Sequence, residues 1–366
     1  MKGKELSRRA FYVFLLIGFF VISGCGGNSS KKISFFHSDL EGYWKTIGFG
    51  QDNYGSYYGS SGYLIVNTSG EITEGNVNNF GIDVENFTGG TLAITNEGTI
   101  TGIIDTFLAD SDTYEKQIIP DGQMTLKKNV IVHPCNFTLA RRGVGILLKK
   151  GESFTISDLE GAWVFPFDGI FSFSVNSAGA ITKCNFLNVN MNSGTCSGNL
   201  SITSEGNVAG GIEAINGKIF KMNFDGQMSS SKDSMILAGG LSTSFEGMSA
   251  FAIKRNGTFS SSDGKGKWRI IRTSKMDALF GTVSIDTSGT ITEGKWTNIR
   301  GESGIFTGGE LSISETGSIS GVLNVSSGKF FTILGGQISI DRDIVGGLDR
   351  DEAGYSGIVI LVKTPE

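Results

Sequence analysis

Three copies of one unit follow one another in the sequence, and this internal repeat limits the possible architectures more than any other feature. The segment SDLEGYW at residues 38–44 returns as SDLEGAW at 157–163 and, in shorter form, as GKGKW at 264–268. Two further motifs keep the same order in each copy: a turn glycine at Gly70, Gly179 and Gly289, and a glutamine after glycine at Gln123, Gln227 and Gln337. The copies lie about 110 residues apart, which is the size of a small domain and too long for a solenoid coil or a propeller blade.

Within each unit the pattern predicts β-strands joined by short glycine turns. Residues 63–66 and 71–73 alternate apolar and polar side chains on either side of a turn that ends at Gly70, and the same arrangement surrounds Gly98. Glycine is abundant (54 residues), proline is scarce (4 residues), and no long helical pattern is present. Eight strands can be placed in hairpin order along the first unit.

These strands predict an all-β chain of three tandem antiparallel meander domains, at residues 38–150, 157–256 and 264–366. A meander of eight strands can close into a barrel, which leaves no strand edge unpaired. A two-layer β-sandwich built from the same hairpins is the alternative. We favour three small eight-stranded barrels, because closure protects every strand.

Each unit also begins with a Gly-x-Trp motif and ends with a lysine on its last predicted strand: Trp44 with Lys149, Trp163 with Lys254, and Trp268 with Lys363. This pattern resembles the calycins, the group that contains the lipocalins and the fatty-acid-binding proteins. In calycin barrels a basic side chain of the last strand packs across the tryptophan of the first strand. The resemblance implies calycin-like barrels in which a tryptophan–lysine pair closes one end.

The N-terminal residues resemble the signal peptide of a bacterial lipoprotein. Basic residues at positions 2, 4, 8 and 9 precede an apolar run at 10–22, and Ser23, Gly24 and Cys25 follow. The resemblance implies that residues 1–24 form a signal helix that is cleaved off, and that Cys25 carries acyl chains such as palmitate. Two or more chains anchor a protein firmly to a membrane. Residues 25–37 would be the lipidated cysteine and a flexible tether.

This anchor predicts a protein held in the cell envelope, outside the cytoplasm. Gly26 favours the outer membrane over the inner one under the enterobacterial sorting rule, on the periplasmic face or at the cell surface. A single membrane-spanning helix is the weaker alternative, because the run at 10–24 is shorter than the roughly 20 apolar residues that cross a bilayer. Residues 7–11 (SRRAF) leave twin-arginine export open beside the general secretory route.

The other three cysteines predict one disulfide and no metal site. Cys184 and Cys196 are close in sequence, and outside the cytoplasm such a pair is expected to form a disulfide across a hairpin. Cys135 would then be an unpaired, buried thiol. Scattered cysteines without neighbouring histidines or CxxC spacing do not predict a metal. Residues 341–343 and 349–352 are rich in aspartate but do not complete a calcium loop.

No pattern of residues predicts catalysis or a cofactor. The only histidines are His37 and His133, and the sequence contains no nucleophile elbow, P-loop or HExxH motif. The net charge of −5 argues against nucleic acid as a partner, since nucleic-acid binding needs a basic surface. We therefore expect no catalytic residue, no cofactor and no nucleic-acid partner.

Some polar positions do recur among the copies. The glutamine that follows glycine is present in all three units, and we expect a buried amide that satisfies backbone groups of a turn, with ligand contact as the alternative. Carboxylate pairs recur beside the first strand as Asp39 with Glu41 and as Asp158 with Glu160, and the third unit is expected to replace them with Lys265 and Lys267. A catalytic acid shared by the three units is therefore not expected.

The sequence thus predicts a non-catalytic lipoprotein of the bacterial envelope. It would bind either an apolar small molecule inside a barrel or an envelope partner on the outside. The alternative is a structural spacer or a surface-display protein without a ligand. A cavity in one unit beside filled interiors in the others would favour a specialised binder.

Overall fold

The computed structural model describes residues 33–51, 57–79, 83–108, 112–137, 142–167, 169–188, 193–215, 219–241, 247–274, 278–326 and 328–365. The signal segment and Cys25 lie outside these residues. The described strands form three closed barrels of eight antiparallel strands each. The predicted all-β chain of three meander barrels is therefore confirmed, and the sandwich alternative is wrong. None of the helices among the described residues has the length and apolar character that crossing a bilayer requires.

Barrel 1 follows a 3-10 turn at His37–Asp39. Its strands are β1 (Gly42–Gln51), β2 (Tyr57–Val66), β3 (Ile72–Asn79), β4 (Asp83–Ile94), β5 (Thr99–Leu108), β6 (Thr113–Met124), β7 (Val130–Phe137) and β8 (Arg142–Lys149). Barrel 2 follows the one-turn helix α1 (Ile156–Leu159). Its strands are β9 (Gly161–Phe167), β10 (Gly169–Val175), β11 (Ala180–Asn188), β12 (Ser193–Ile202), β13 (Asn207–Ile215), β14 (Ile219–Met228), β15 (Ser234–Leu241) and β16 (Gly247–Arg255).

Barrel 3 follows a 3-10 turn at Ser261–Gly264. Its strands are β17 (Gly266–Ser274), β18 (Ala278–Ile285), β19 (Ile291–Asn298), β20 (Ser303–Ile313), β21 (Ser318–Val325), β22 (Phe330–Ile338), β23 (Ile344–Asp351) and β24 (Ser356–Lys363). In each barrel the first strand pairs with both the second and the last, which completes the ring.

The repeated turn glycine has a steric cause that is the same in all three barrels. Gly70, Gly179 and Gly289 have φ angles of +87°, +84° and +91°, which side chains rarely adopt. A Cβ on each would lie 2.1–2.2 Å from a carbonyl oxygen of the neighbouring hairpin, that of Leu92, Leu200 or Leu311. The backbone amide of that same leucine donates a hydrogen bond back to the glycine carbonyl at 2.7–2.8 Å. Each glycine therefore lets two successive hairpins approach closely.

The barrels pack against one another through the outer faces of the strands that close them. A shared core contains residues from all three: Ile47, Phe49, Val130, Val132, Val144, Ile146 and Leu148 of barrel 1; Ile236, Ala238, Phe251 and Ile253 of barrel 2; Ile271, Ile344, Ile360 and Val362 of barrel 3. Gly346 on β23 permits this contact, because a Cβ there would already lie 3.3–3.4 Å from Ile253 and Phe251. We call this cluster the central core. Strands buried on both faces are apolar at nearly every position, as the segment Gly357–Val362 is.

Three hairpin turns bring polar side chains together beside the central core. Asn129, Asp233 and Asp343 occupy equivalent positions in the three barrels, and all three are buried. Asn129 donates a hydrogen bond from its Nδ2 to Ser231 Oγ at 3.0 Å, so the turns of barrels 1 and 2 are in direct contact. Burial, together with the negative charges of Asp233 and Asp341, raises the pKa of Asp343 to about 6. Ionised Asp343 therefore destabilises the fold.

Replacing Asp343 by asparagine, the type of residue that barrel 1 has at this position, should stabilise the protein at neutral pH. The folded state holds the Asp343 proton more tightly than the unfolded chain, whose carboxyl titrates near 3.8, so stability is lost as the pH rises from there through about 6. We expect Asp343→Asn to raise the unfolding free energy by up to about 3 kcal/mol above pH 7 and to leave it unchanged well below pH 4. Urea unfolding across this pH range measures the difference. A gain that does not depend on pH would contradict the assignment.

Candidate functional site

One end of each barrel, which we call the closed end, lies where the first strand begins and is sealed by a tryptophan and a lysine. The Nζ atom lies 5.4 Å from the ring centroid for Lys149 and Trp44, 5.4 Å for Lys254 and Trp163, and 5.3 Å for Lys363 and Trp268. Each indole N–H donates to the carbonyl four residues earlier, at 2.7–2.8 Å. All three tryptophans are buried. These contacts stabilise the barrel and leave the indole N–H groups with no capacity for a ligand.

A phenylalanine and an acidic turn complete each closed end. Phe35, Phe154 and Phe259 are buried beneath the barrel, and a basic side chain lies 5.4–5.5 Å from each ring centroid. The same basic side chain forms an ion pair with the acidic residue of the turn: Lys128 with Asp39, Lys232 with Asp158, and Arg342 with Asp263. The third unit therefore does keep this carboxylate, as Asp263. The prediction that lysines replace both carboxylates of the pair in the third unit is therefore wrong at the position of Asp39 and Asp158, where Asp263 stands.

The repeated glutamine has the structural role that the sequence favoured. Gln123 Nε2 donates to the carbonyls of Glu97 and Met124 at 2.9 and 3.1 Å, and the other two glutamines make the equivalent bonds. A Cβ on Gly98, whose φ is +81°, would lie 2.7 Å from that amide nitrogen. The glutamines therefore tie the turn between the fourth and fifth strands to the end of the sixth strand, at the closed end.

The interior of barrel 2 is filled by aromatic side chains. Phe165 stacks on Phe171 with ring centroids 4.7 Å apart, and Phe171 stacks on Phe186 at 5.3 Å. Phe173 and Phe224 are buried in the same cluster. Cys184 and Cys196, joined by a disulfide, are direct partners on β11 and β12 with Cα atoms 4.9 Å apart. The described interior of barrel 2 is therefore densely packed.

The interior of barrel 1 holds a neutral histidine–cysteine pair. His133 Nδ1 lies 3.6 Å from Cys135 Sγ, and both residues are buried. Burial lowers the pKa of His133 to about 4 and raises the pKa of Cys135 to about 12. The imidazole and the thiol are therefore both uncharged at neutral pH. A thiolate nucleophile does not form under these conditions.

Barrel 3 contains a cavity of about 620 Å³ at the end opposite its closed end, which we call the open end. Its wall includes the aromatic side chains of Trp296, Phe331 and Tyr355 and the apolar side chains of Leu279 and Val325. Charged residues of both signs also line it, among them Arg272 and Asp351. A volume of this size is typical of sites for small molecules.

Arg272 is the buried charge at the base of this cavity. It continues the inward-facing positions of β17 that begin with Trp268 and Ile270, and it is 3% exposed. Its Nε donates to Asp349 Oδ2, and its Nη1 donates to Ser274 Oγ at 3.2 Å. The guanidinium carbon lies 4.4 Å from the ring centroid of Phe331. The side chain is thus fixed between a carboxylate and an aromatic ring.

Trp296 on β19 also lines the cavity. Its strand partner on β20 is Gly304, and a Cβ on that glycine would lie 2.9 Å from the indole ring. The indole N–H is buried and has no hydrogen-bond partner, unlike those of the three closed-end tryptophans. The gap at Gly304 therefore holds the ring flat against the barrel wall.

None of the sequence motifs identified this site. Arg272 lies outside the repeated motifs, although a charged residue at the inward period of a strand is a detectable signal. Among the described residues no three His, Cys, Asp or Glu side chains are arranged to hold a metal ion. The cavity offers binding contacts that include the buried guanidinium of Arg272, the indole of Trp296 and an aromatic wall.

No protein-family model matches the sequence, and no curated protein matches it significantly. Among solved structures, a double mutant of transferrin binding protein B from Haemophilus parasuis is 11% identical over 88% of this chain and 76% of that chain, with a TM-score of 0.28. Transferrin binding protein B from Neisseria meningitidis is 10% identical over 83% of this chain and 65% of that chain, with a TM-score of 0.29. Kievitone hydratase from Nectria haematococca is 8% identical over 92% of this chain and 95% of that chain, with a TM-score of 0.22. Such low TM-scores support no conclusion about function.

Proposed function

We propose that this chain is a lipid-anchored envelope protein that binds a small molecule without chemical change, through the open end of barrel 3. The cavity of about 620 Å³ beside Arg272 and Trp296 is the observation that supports this function. The closed ends are occupied by structural contacts, and the described interior of barrel 2 is packed with phenylalanine. The described closed ends and the described interior of barrel 2 therefore leave less room for a ligand than the open end of barrel 3 does.

Binding is favoured over catalysis by the chemistry of the charged groups. Arg272 is neutralised by Asp349 and Asp351, whose oxygens lie against the guanidinium. The buried pair in barrel 1, His133 and Cys135, is uncharged. General acid–base catalysis needs an accessible group whose pKa lies near the operating pH, and the pKa values of this buried pair, about 4 and about 12, lie far from neutral pH. The paired charges around Arg272 are therefore suited to recognising a ligand and not to transferring its protons.

The mixed lining favours an amphipathic ligand over a purely apolar one. Leu279, Val325 and Phe331 offer apolar surface, while the indole N–H and the guanidinium require polar partners. Leaving such groups unpaired against an apolar ligand would cost about 1–3 kcal/mol for each group. Specificity would therefore come from the polar end of the ligand.

The anchor rests on residues 1–25, with Cys25 as the acylated residue and the outer membrane as the preferred location. Replacing Cys25 by serine removes the thiol that receives the diacylglyceryl group, so we expect the precursor to stay uncleaved and unlabelled by palmitate analogues. Membrane fractionation with metabolic labelling in the native bacterium measures this. Cys135→Ser is the matched control, since that thiol is buried inside barrel 1. Labelling that persists in Cys25→Ser would refute the anchor.

Native mass spectrometry of the chain purified from its own envelopes tests the binding function. We expect a discrete extra mass that organic extraction removes, beyond the mass of the acyl chains. A chain with no extra mass would refute small-molecule binding and support the alternatives, a rigid spacer or a display surface for an envelope protein. Crosslinking in intact cells then separates these two.

A further inference from the structure

The cavity of barrel 3 contains hydrogen-bond donors that the protein does not use. Arg272 Nη2 has no hydrogen-bond partner, and it lies 3.6 Å from Asp351 Oδ2. This separation exceeds hydrogen-bonding distance. The indole N–H of Trp296 is buried and unpaired as well. Because unpaired buried donors are costly, two of them on residues that line one cavity indicate a missing acceptor.

The carboxylates near the rim of the cavity form hydrogen bonds or ion pairs with residues close to them in the sequence or on neighbouring strands. Asp351 Oδ1 accepts the backbone N–H groups of Ala353 and Tyr355 at 3.1 and 2.9 Å. Glu302 Oε2 accepts a hydrogen bond from Asn298 Nδ2 at 2.7 Å. Glu352 lies 3.9 Å from the Nζ of Lys329. Asp351 Oδ1 and Glu302 Oε2 are therefore already used by the rim.

We propose that the cavity binds an organic carboxylate, whose oxygens accept hydrogen bonds from Arg272 Nη2 and Trp296 Nε1 while its body lies against Trp296 and Phe331. This inference rests on the proposed binding function and names its ligand class. A planar guanidinium matches the geometry of a carboxylate. A singly charged group suits the site better than a phosphate, because Asp349 and Asp351 already place negative charge beside the guanidinium.

The indole N–H resonances of the 15N-labelled full chain provide the test, with benzoate and its neutral isostere benzamide as probes. The chain has four tryptophans, and Trp296→Phe assigns the resonance of interest. We expect benzoate to shift the Trp296 resonance alone, and benzamide to need an at least about tenfold higher concentration. The three closed-end indoles donate to carbonyls and serve as internal controls for folding.

Arg272→Lys keeps the charge but removes the planar fork, so it should weaken benzoate binding at least about tenfold. The matched control is Arg255→Lys, an exposed arginine that does not line this cavity, where we expect a change within about twofold. Loss of the closed-end indole resonances in Arg272→Lys would show that the variant is misfolded. In that case the comparison of benzoate with benzamide on the unsubstituted chain still tests whether the site prefers a carboxylate.

A small-molecule extract of the native envelope forms the last arm of this test. Equal responses to benzoate and benzamide, or a response to the extract but to neither probe, would overturn the carboxylate while the binding function stands. If the extract and both probes leave the Trp296 resonance unchanged, the binding function fails together with the inference.

Discussion

Replacing Trp268 by alanine should destabilise barrel 3 by about 4 kcal/mol, because a fully buried indole is lost and a cavity is left behind. The substitution also removes the hydrogen bond to the Gly264 carbonyl at 2.8 Å and the contact with Lys363 Nζ at 5.3 Å. Together these contacts hold the first strand, the last strand and the preceding turn. Denaturant unfolding followed by circular dichroism measures the loss.

Trp296→Ala is the matched control for this substitution, since it removes the same side chain from the open end of the same barrel. That indole is half-buried and makes no hydrogen bond, so we expect a loss of only about 1 kcal/mol. Equal losses for Trp268→Ala and Trp296→Ala would contradict the division of barrel 3 into a structural closed end and a binding open end.

Replacing Ile360 by aspartate should separate the three barrels. Ile360 is fully buried on the outer face of β24, in the central core to which all three barrels contribute. An unpaired carboxylate at this point costs more than about 4 kcal/mol, unless water enters and the barrels move apart. We expect a larger radius in small-angle scattering and more than one unfolding transition.

Ile305→Asp controls for the chemical change alone. Ile305 lies on β20 of the same barrel but is 56% exposed, so the new carboxylate stays in water. We expect an unchanged radius and a change in stability within about 0.5 kcal/mol. If Ile360→Asp left the radius and the single transition intact, the central core would not be what holds the barrels together.

The barrels were predictable because the signals that specify them, the repeated motifs and the turn residues of the hairpins, lie in short segments of the sequence. The turn glycines mark the hairpins at a fixed period, and the alternation of apolar residues sets which face of each strand is buried. Three copies of the same motif also reveal residues with a shared structural role, such as Gln337, whose amide bonds recur in each barrel. Closure into barrels follows from eight strands in meander order.

The central core and the binding cavity were not predictable in the same way. The central core joins strands from three units, and its contacts depend on how the barrels pack, which no local pattern specifies. Arg272 and Trp296 occur in one unit only, so the repeat cannot identify them. Their role as lining residues of one cavity becomes apparent only in the folded barrel, which brings β17, β19 and β23 around that cavity.

The central claim is that the open end of barrel 3 is the binding site, and blocking it tests this most directly. Ala353 lines the cavity and follows Asp351 in its turn, whereas Ala178 follows Asn176 in the equivalent type of turn at the closed end of barrel 2. We would compare Ala353→Trp, Ala178→Trp and the unsubstituted chain by native mass spectrometry after purification from the native envelope. We predict that Ala353→Trp alone loses the bound mass. Retention of that mass in Ala353→Trp would contradict the claim.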